Sequence, residues 1–118
     1  MADRFAHMKL FFASWAKPED VRRALAPGFT MDDPAEPAPV GADGLAAWMA
    51  RWVERIRRAG GTGAVENLFQ AEVDRDGVLH HWTWWHFPGT DVQGAALVTA
   101  TDAGVTGQRI AYHRRPAG

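Results

Sequence analysis

Hydrophobic positions recur first with a helical period and then, past Gly63, with a period of two. Phe5, Met8, Phe12 and Trp15, with Phe11 beside them, predict a first amphipathic helix from about Arg4 to Trp15. Pro18 suits the first turn of a second helix and Glu19 and Asp20 its positive end, with Val21 and Leu25 as its buried stripe. Pro27-Gly28 is expected to end it. Asp43 is a good N-cap for a third helix whose apolar stripe is Leu45, Trp48, Met49, Trp52, Val53 and Ile56. Arg51, Glu54, Arg55, Arg57 and Arg58 face solvent on that reading, and Gly60-Gly61 closes the helix.

Strand signals fill the rest. Between the second and third helices, Phe29 to Asp33 reads as a short strand stopped by Pro34, followed by a proline-rich loop up to Ala42. After Gly63, Val65, Asn67, Phe69, Ala71 and Val73 alternate with Glu66, Gln70, Glu72 and Asp74, and Leu68 interrupts the pattern. Asp76-Gly77 is a hairpin turn. Strands from Val78 to Phe87, Asp91 to Thr101 and Gly104 to His113 follow, separated by turns at Pro88-Gly89-Thr90 and Asp102-Ala103-Gly104, with a short tail from Arg114 to Gly118. Three helices segregated from a meander of antiparallel strands give an α+β domain.

Composition narrows the class. At 118 residues the chain is expected to be one domain, residues 1–118, with a single core. A formal net charge of -1, with arginines scattered among acids, argues against a nucleic-acid partner. There is no cysteine, hence no disulfide framework or thiol chemistry. Met1-Ala2-Asp3-Arg4 lacks the apolar run of a signal peptide and no segment is apolar enough to span a bilayer, so a cytoplasmic protein without a membrane partner is expected. Six Trp and six Phe against one Tyr is unusual: so many rings fill a core, line a cavity or cover an interface.

The candidate chemistry starts at Asp33. Strand alternation puts it on one face with Phe29 and Met31 and leaves Thr30 and Asp32 on the other. A carboxylate behind two large apolar residues is costly to bury ionised without partners, which makes Asp33 a candidate general base. The plainer reading is a carboxylate capping the next loop. In the run His80-His81-Trp82-Thr83-Trp84-Trp85-His86-Phe87, His81, Thr83, Trp85 and Phe87 share one face and His80, Trp82, Trp84 and His86 the other. Both faces are aromatic, so the helices should cover one and a second subunit the other. His80 and His86 lie about 20 Å apart along a strand and do not share an ion, so no metal is expected. His81 is the candidate acid–base partner of Asp33. Asn67 reads as a ligand contact or an internally bonded amide, and Tyr112 as a donor to a substrate oxygen or a packed surface tyrosine. Trp48 and Trp52, one turn apart, roof a pocket or fill the core. Ser14, the lone serine, sits on the first helix, which leaves no serine triad.

The helix pair, the segment FTMDDPAEPAPVGADGLAAWMARW, the hairpin VDRDGVL and the ending TDAGVTGQRIAYH resemble the nuclear transport factor 2-like superfamily, which includes SnoaL-like polyketide cyclases, ketosteroid isomerase and limonene epoxide hydrolase. The resemblance implies a curved antiparallel sheet wrapped by three N-terminal helices into a cone with an internal apolar pocket, and a homodimer through the sheet's outer face (Trp82, Trp84, His86). It gives Asp33-Pro34 the position of the isomerase's general base and makes the His81/Thr83/Trp85 face concave. Phe11 and Phe12 stand where that isomerase keeps a tyrosine, and the run containing Leu97 has no acid where it keeps a second aspartate, which argues against its reaction. No pair of acids bridged by an arginine matches the epoxide hydrolase.

The expected function is therefore acid–base chemistry without a cofactor, of isomerase, cyclase, lyase or hydrolase type, on an apolar cyclic molecule. Asp33 and His81 would be catalytic. Phe12, Trp15, Met31, Trp48, Trp52, Asn67, Phe69, Thr83, Trp85, Leu97 and Tyr112 would line the pocket. The alternative is a non-catalytic ligand-binding or dimerisation module. A cavity too small for a ring compound, or Asp33 facing solvent, would contradict the enzymatic reading.

Overall fold

The computed structural model describes residues 3–114; Met1, Ala2 and the tail beyond Arg114 lie outside the described residues. The elements run α1 (Arg4–Ala13), a 3-10 helix (Pro18–Ala24), β1 (Leu25–Asp32), β2 (Val40–Gly41), α2 (Ala42–Arg58), β3 (Glu66–Arg75), β4 (Val78–His86), β5 (Gln93–Thr101) and β6 (Gly104–Arg114). The strands form one curved, open sheet in the order β2-β1-β6-β5-β4-β3. From β3 to β6 every neighbour is antiparallel. β1, however, lies parallel to β6, so the sheet is mixed and not wholly antiparallel as the sequence suggests. That pairing joins strands distant in the chain and leaves no local signal.

Several boundaries move for identifiable reasons. α1 stops at Ala13, two residues before Trp15, where the backbone N–H groups of Trp15 and Ala16 turn to the carbonyls three residues back, and the Ser14 hydroxyl adds a bond to the Leu10 carbonyl at 2.7 Å. Phe5 is 46% exposed, so the buried stripe of α1 runs through Met8 and Phe11 instead. The second helix is a seven-residue 3-10 helix whose buried residues, Val21 and Ala24, are three apart, as its three-residue turn requires. Leu25 already belongs to β1, and Pro27-Gly28 lies inside that strand, where Gly28 at φ +82 accompanies a shift of register against β6. α2 is capped by Gly41, with Asp43 in its first turn and in contact with Arg22.

The core lies between the concave face of the sheet and the buried stripe of α2, Leu45, Trp48, Met49, Trp52 and Ile56. Leu79, Trp85, Phe87, Ala96, Val98, Val105 and Ile110 face it from the sheet. α1 is pinned over the open side of the sheet by Arg4. Its guanidinium bonds both oxygens of Asp74, at 2.7 and 2.8 Å, and Asp102 at 3.0 Å. Hydrogen bonds from the Arg4 side chain hold Asp74 below the usual carboxylate range, and a bond from the Arg4 backbone N–H does so first for Asp102. No helix among the described residues is long and apolar enough to cross a membrane.

β5 crosses β6 closely at Gly94. A Cβ there would stand 2.3 Å from the Ala111 carbonyl oxygen and 3.0 Å from the Trp85 ring. Gly94→Ala is expected to destabilise the fold by about 1–3 kcal/mol through this overlap. Urea denaturation checks it: the midpoint falls while the slope stays the same.

Candidate functional site

Asp33 follows β1 directly and is 6% exposed, on the face that also buries Phe29 and Met31. Four donors converge on it. Oδ1 accepts the Ala35 backbone N–H at 2.8 Å and the Tyr112 hydroxyl at 2.8 Å. Oδ2 accepts the Trp48 indole N–H at 3.1 Å and, more weakly, that of Trp52 at 3.5 Å. The Ala35 bond is an Asx turn around Pro34, and the two indoles come from successive turns of α2. A carboxylate has about four lone-pair directions, so these donors occupy its accepting capacity. Burial, and next the bond to Asp33, push the Tyr112 hydroxyl well above its ordinary 10.0.

Beside this cluster lies a cavity of about 40 Å³ lined by Phe12, Trp15, Trp48, Trp52, Trp85 and Phe87, with Thr83, Asn67 and Gln108 as its polar side chains. Val65, Ala96 and Ile110 complete the lining. By the space one water needs, that is room for roughly three or four water molecules, or as many non-hydrogen atoms. Benzene occupies an apolar cavity of about 150 Å³. A cyclic substrate of the kind expected from the sequence does not fit the cone in this conformation. The space is filled by rings. Trp52 stacks on Phe87 at 5.3 Å and on Tyr112 at 5.8 Å, while Trp15–Trp48, Trp48–Trp52 and Trp52–Trp85 meet edge to face.

Of the residues expected in the pocket, Phe12, Trp15, Trp48, Trp52, Asn67, Thr83 and Trp85 line the cavity. Met31 is fully buried in the core and Tyr112 sits behind Trp52, bound to Asp33. Phe69 and Leu97 are misplaced by the sequence reading. The register of β3 against β4 shifts between Asn67 and Phe69, so Leu68 is a bulge. Asn67 then pairs with Trp85 on the concave face, whereas Phe69 pairs with Trp84 on the convex face and is 59% exposed. Leu97 pairs with Trp82, also on the convex face, and its neighbours Ala96 and Val98 point inward.

His81 does face the concave side but does not join Asp33. Its Nδ1 lies 2.6 Å from Glu72 Oε2, its Nε2 lies 3.0 Å from Gln70 Oε1, and its ring packs on Phe12 at 4.7 Å. Among the described residues, no group of three or more His, Cys, Asp or Glu side chains has metal-binding geometry. Gln108 is the polar cavity residue that sequence reasoning missed; the apolar Val65, Phe87, Ala96 and Ile110 also line the cavity without having been expected there. Ile110 and Tyr112 share the inward face of β6, and two residues further back along the same alternation stands Gln108.

No family model matches the chain, and no curated protein matches it. Among solved structures, an NTF2-like protein from Cytophaga hutchinsonii is 10% identical with a TM-score of 0.64, over 98% of this chain and 95% of that one. The chain has the nuclear transport factor 2-like fold. Two further structures with this fold match at similar depth. A candidate polyketide cyclase from Sinorhizobium meliloti is 19% identical with a TM-score of 0.60, over 89% of this chain and 93% of that one. A Catenulispora acidiphila protein with a ketosteroid isomerase-like fold, in complex with trimethylamine, is 18% identical with a TM-score of 0.58, over 90% and 84%. On this nuclear transport factor 2-like scaffold the cone mouth is framed by Val65 and Asn67, both exposed.

Because Tyr112 is the only tyrosine, absorbance at tyrosinate wavelengths reports it alone. The folded protein keeps the proton above pH 10 while the unfolded chain loses it, so Tyr112 stabilises fully below about pH 10 and progressively less as pH rises. Alkaline titration should therefore show no tyrosinate at pH 10–11 in the folded protein, and its appearance together with unfolding. In Asp33→Asn the tyrosine should ionise at lower pH.

Proposed function

We propose that this protein binds a compact small molecule in the aromatic cavity, and that Asp33 serves to organise the cavity walls and not to abstract protons. The observation that carries this is the occupation of Asp33 by three donors within 3.1 Å and a weak fourth at 3.5 Å, which turn its accepting directions toward the protein. The cavity volume supports a ligand of about four non-hydrogen atoms. Trimethylamine, in the Catenulispora acidiphila relative, is a molecule of that size. At about 1.5 kcal/mol per atom, the ceiling for such a ligand is a Kd in the tens of micromolar.

Indole N–H resonances test this against a panel of neutral and charged molecules of that size. Trp15, Trp48, Trp52 and Trp85 should shift on binding; shifts confined to Trp82 and Trp84, or none at all, would refute the reading. Asp33→Asn should lower stability by about 1–3 kcal/mol, because its amide sets an NH2 against N–H or O–H donors. It should leave ligand affinity within about threefold. A general base would instead lose turnover with affinity unchanged.

The convex face supports a second element of function, self-association. Trp82 and Trp84 are 40% and 37% exposed there, beside Phe69 at 59% and Val73 at 53%, a contiguous apolar patch of the kind that marks interfaces. We infer that two copies pair through this face. Light scattering at micromolar concentration should give the mass of a dimer, and Trp82→Lys that of a monomer; a monomeric wild type would contradict the pairing.

A further inference from the structure

Two polar groups on the cavity lining make no hydrogen bond. The Thr83 hydroxyl and the Trp85 indole N–H have no partner among the described residues, although the two side chains are only 2% and 8% exposed. Buried polar groups are normally paired with protein, water or ligand. Both residues line the cavity, two positions apart on the inward face of β4. The Gln108 oxygen is enclosed by protein on every side, whereas Thr83 Oγ1 and Trp85 Nε1 are not, and the space they open on is the cavity.

What the lining offers decides the character of the guest. An indole N–H only donates, and a hydroxyl donates or accepts. Trp48 and Trp52 turn their own N–H groups away, to Asp33. Asn67, whose amide oxygen accepts, is exposed at the mouth. The interior therefore presents donors and calls for an acceptor. Among the described residues no Lys, Arg, His, Asp or Glu lines the cavity. An ion entering it would shed water without meeting a counter-charge, so the lining suits a neutral guest. Trp85 is also held firmly. Trp52 and Tyr112 meet it edge to face at 80° and 82°, and a Cβ at Gly94 would stand 3.0 Å from its ring. A donor fixed in this way loses little freedom when it bonds.

Building on the proposed ligand site, we propose that its occupant is a compact neutral molecule with an accepting oxygen, of carbonyl or sulfoxide type, held by the Thr83 hydroxyl with the Trp85 N–H as second donor. Thr83 selects the guest, and the surrounding rings pack on its carbon atoms.

Three probes of matched size, read by indole NMR, separate the parts of this proposal. Acetone offers an acceptor alone, propan-2-ol adds a hydroxyl proton, and isopropylammonium offers charged donors without an acceptor. Acetone should bind about threefold tighter than propan-2-ol and at least about tenfold tighter than isopropylammonium, and should move the Trp85 N–H resonance downfield. Thr83→Val keeps the shape and removes the hydroxyl. It should weaken acetone by about threefold to tenfold, the usual worth of one hydrogen bond, while the melting temperature stays equal or rises because an idle buried hydroxyl is gone. Thr83→Ser, which keeps the hydroxyl, should hold acetone within about twofold of the unaltered protein.

Propan-2-ol or isopropylammonium binding as tightly as acetone would overturn the neutral acceptor. Unchanged acetone affinity in Thr83→Val would overturn the role of Thr83. A lower melting temperature in that variant would show that the hydroxyl is structural and overturn the proposal. If other panel molecules bind and acetone does not, the proposal falls while the compact-ligand site stands. If no probe or panel molecule binds, both fall.

Discussion

One buried carboxylate holds the interior of this protein in place. Asp33 takes donors from the loop after β1, from two turns of α2 and from the end of β6, so three separate parts of the chain meet at its two oxygens. An acid this buried is tolerated because it is hydrogen-bonded from several sides, and removing any donor leaves part of the desolvation cost unanswered. The geometry runs outward from there. Trp48 and Trp52 are oriented by their indole N–H groups, Tyr112 stacks on Trp52, and the remaining rings pack around them to leave a small cavity and not a ring-sized one. Truncating Trp52 to alanine would remove its stacks on Phe87 and Tyr112 and its edge contacts with Trp48 and Trp85, and cost about 3–5 kcal/mol.

The same constraint is the basis for proposing a binding role for Asp33 in place of acid–base chemistry built on an Asp-Pro step. A base needs a free lone pair directed at its substrate; here the lone pairs face the protein. His81, which could have shared such a role, is committed to Glu72 and Gln70 near the edge strand. Thus the fold is that of the nuclear transport factor 2-like structures, while the interior keeps only a small cavity among its rings.

Much of this was legible beforehand, for physical reasons. Alternation through Phe29, Met31 and Asp33 placed the acid on the buried face, and helical spacing placed Trp48 and Trp52 together on the apolar stripe of the third helix. What alternation could not foresee was its own interruption. One extra residue at Leu68 reverses the faces on either side, so Asn67 turns inward and Phe69 outward. Leu97 failed for a related reason: in an apolar run both faces look alike, and pairing with Trp82 alone decides the direction. The parallel pairing of β1 with β6 depends on contacts far apart in the chain. The saturation of Asp33 likewise arises from residues up to 79 positions away, which no local pattern encodes.

Hydrogen exchange of the six indole N–H groups tests the central claim most directly. If Asp33 organises the interior, the Trp48 and Trp52 protons exchange only with global unfolding, far more slowly than that of exposed Trp82, and Trp48 becomes fast in Asp33→Ala while the fold persists. A Trp48 indole proton that exchanges as fast as that of Trp82 in the unaltered protein would contradict the account.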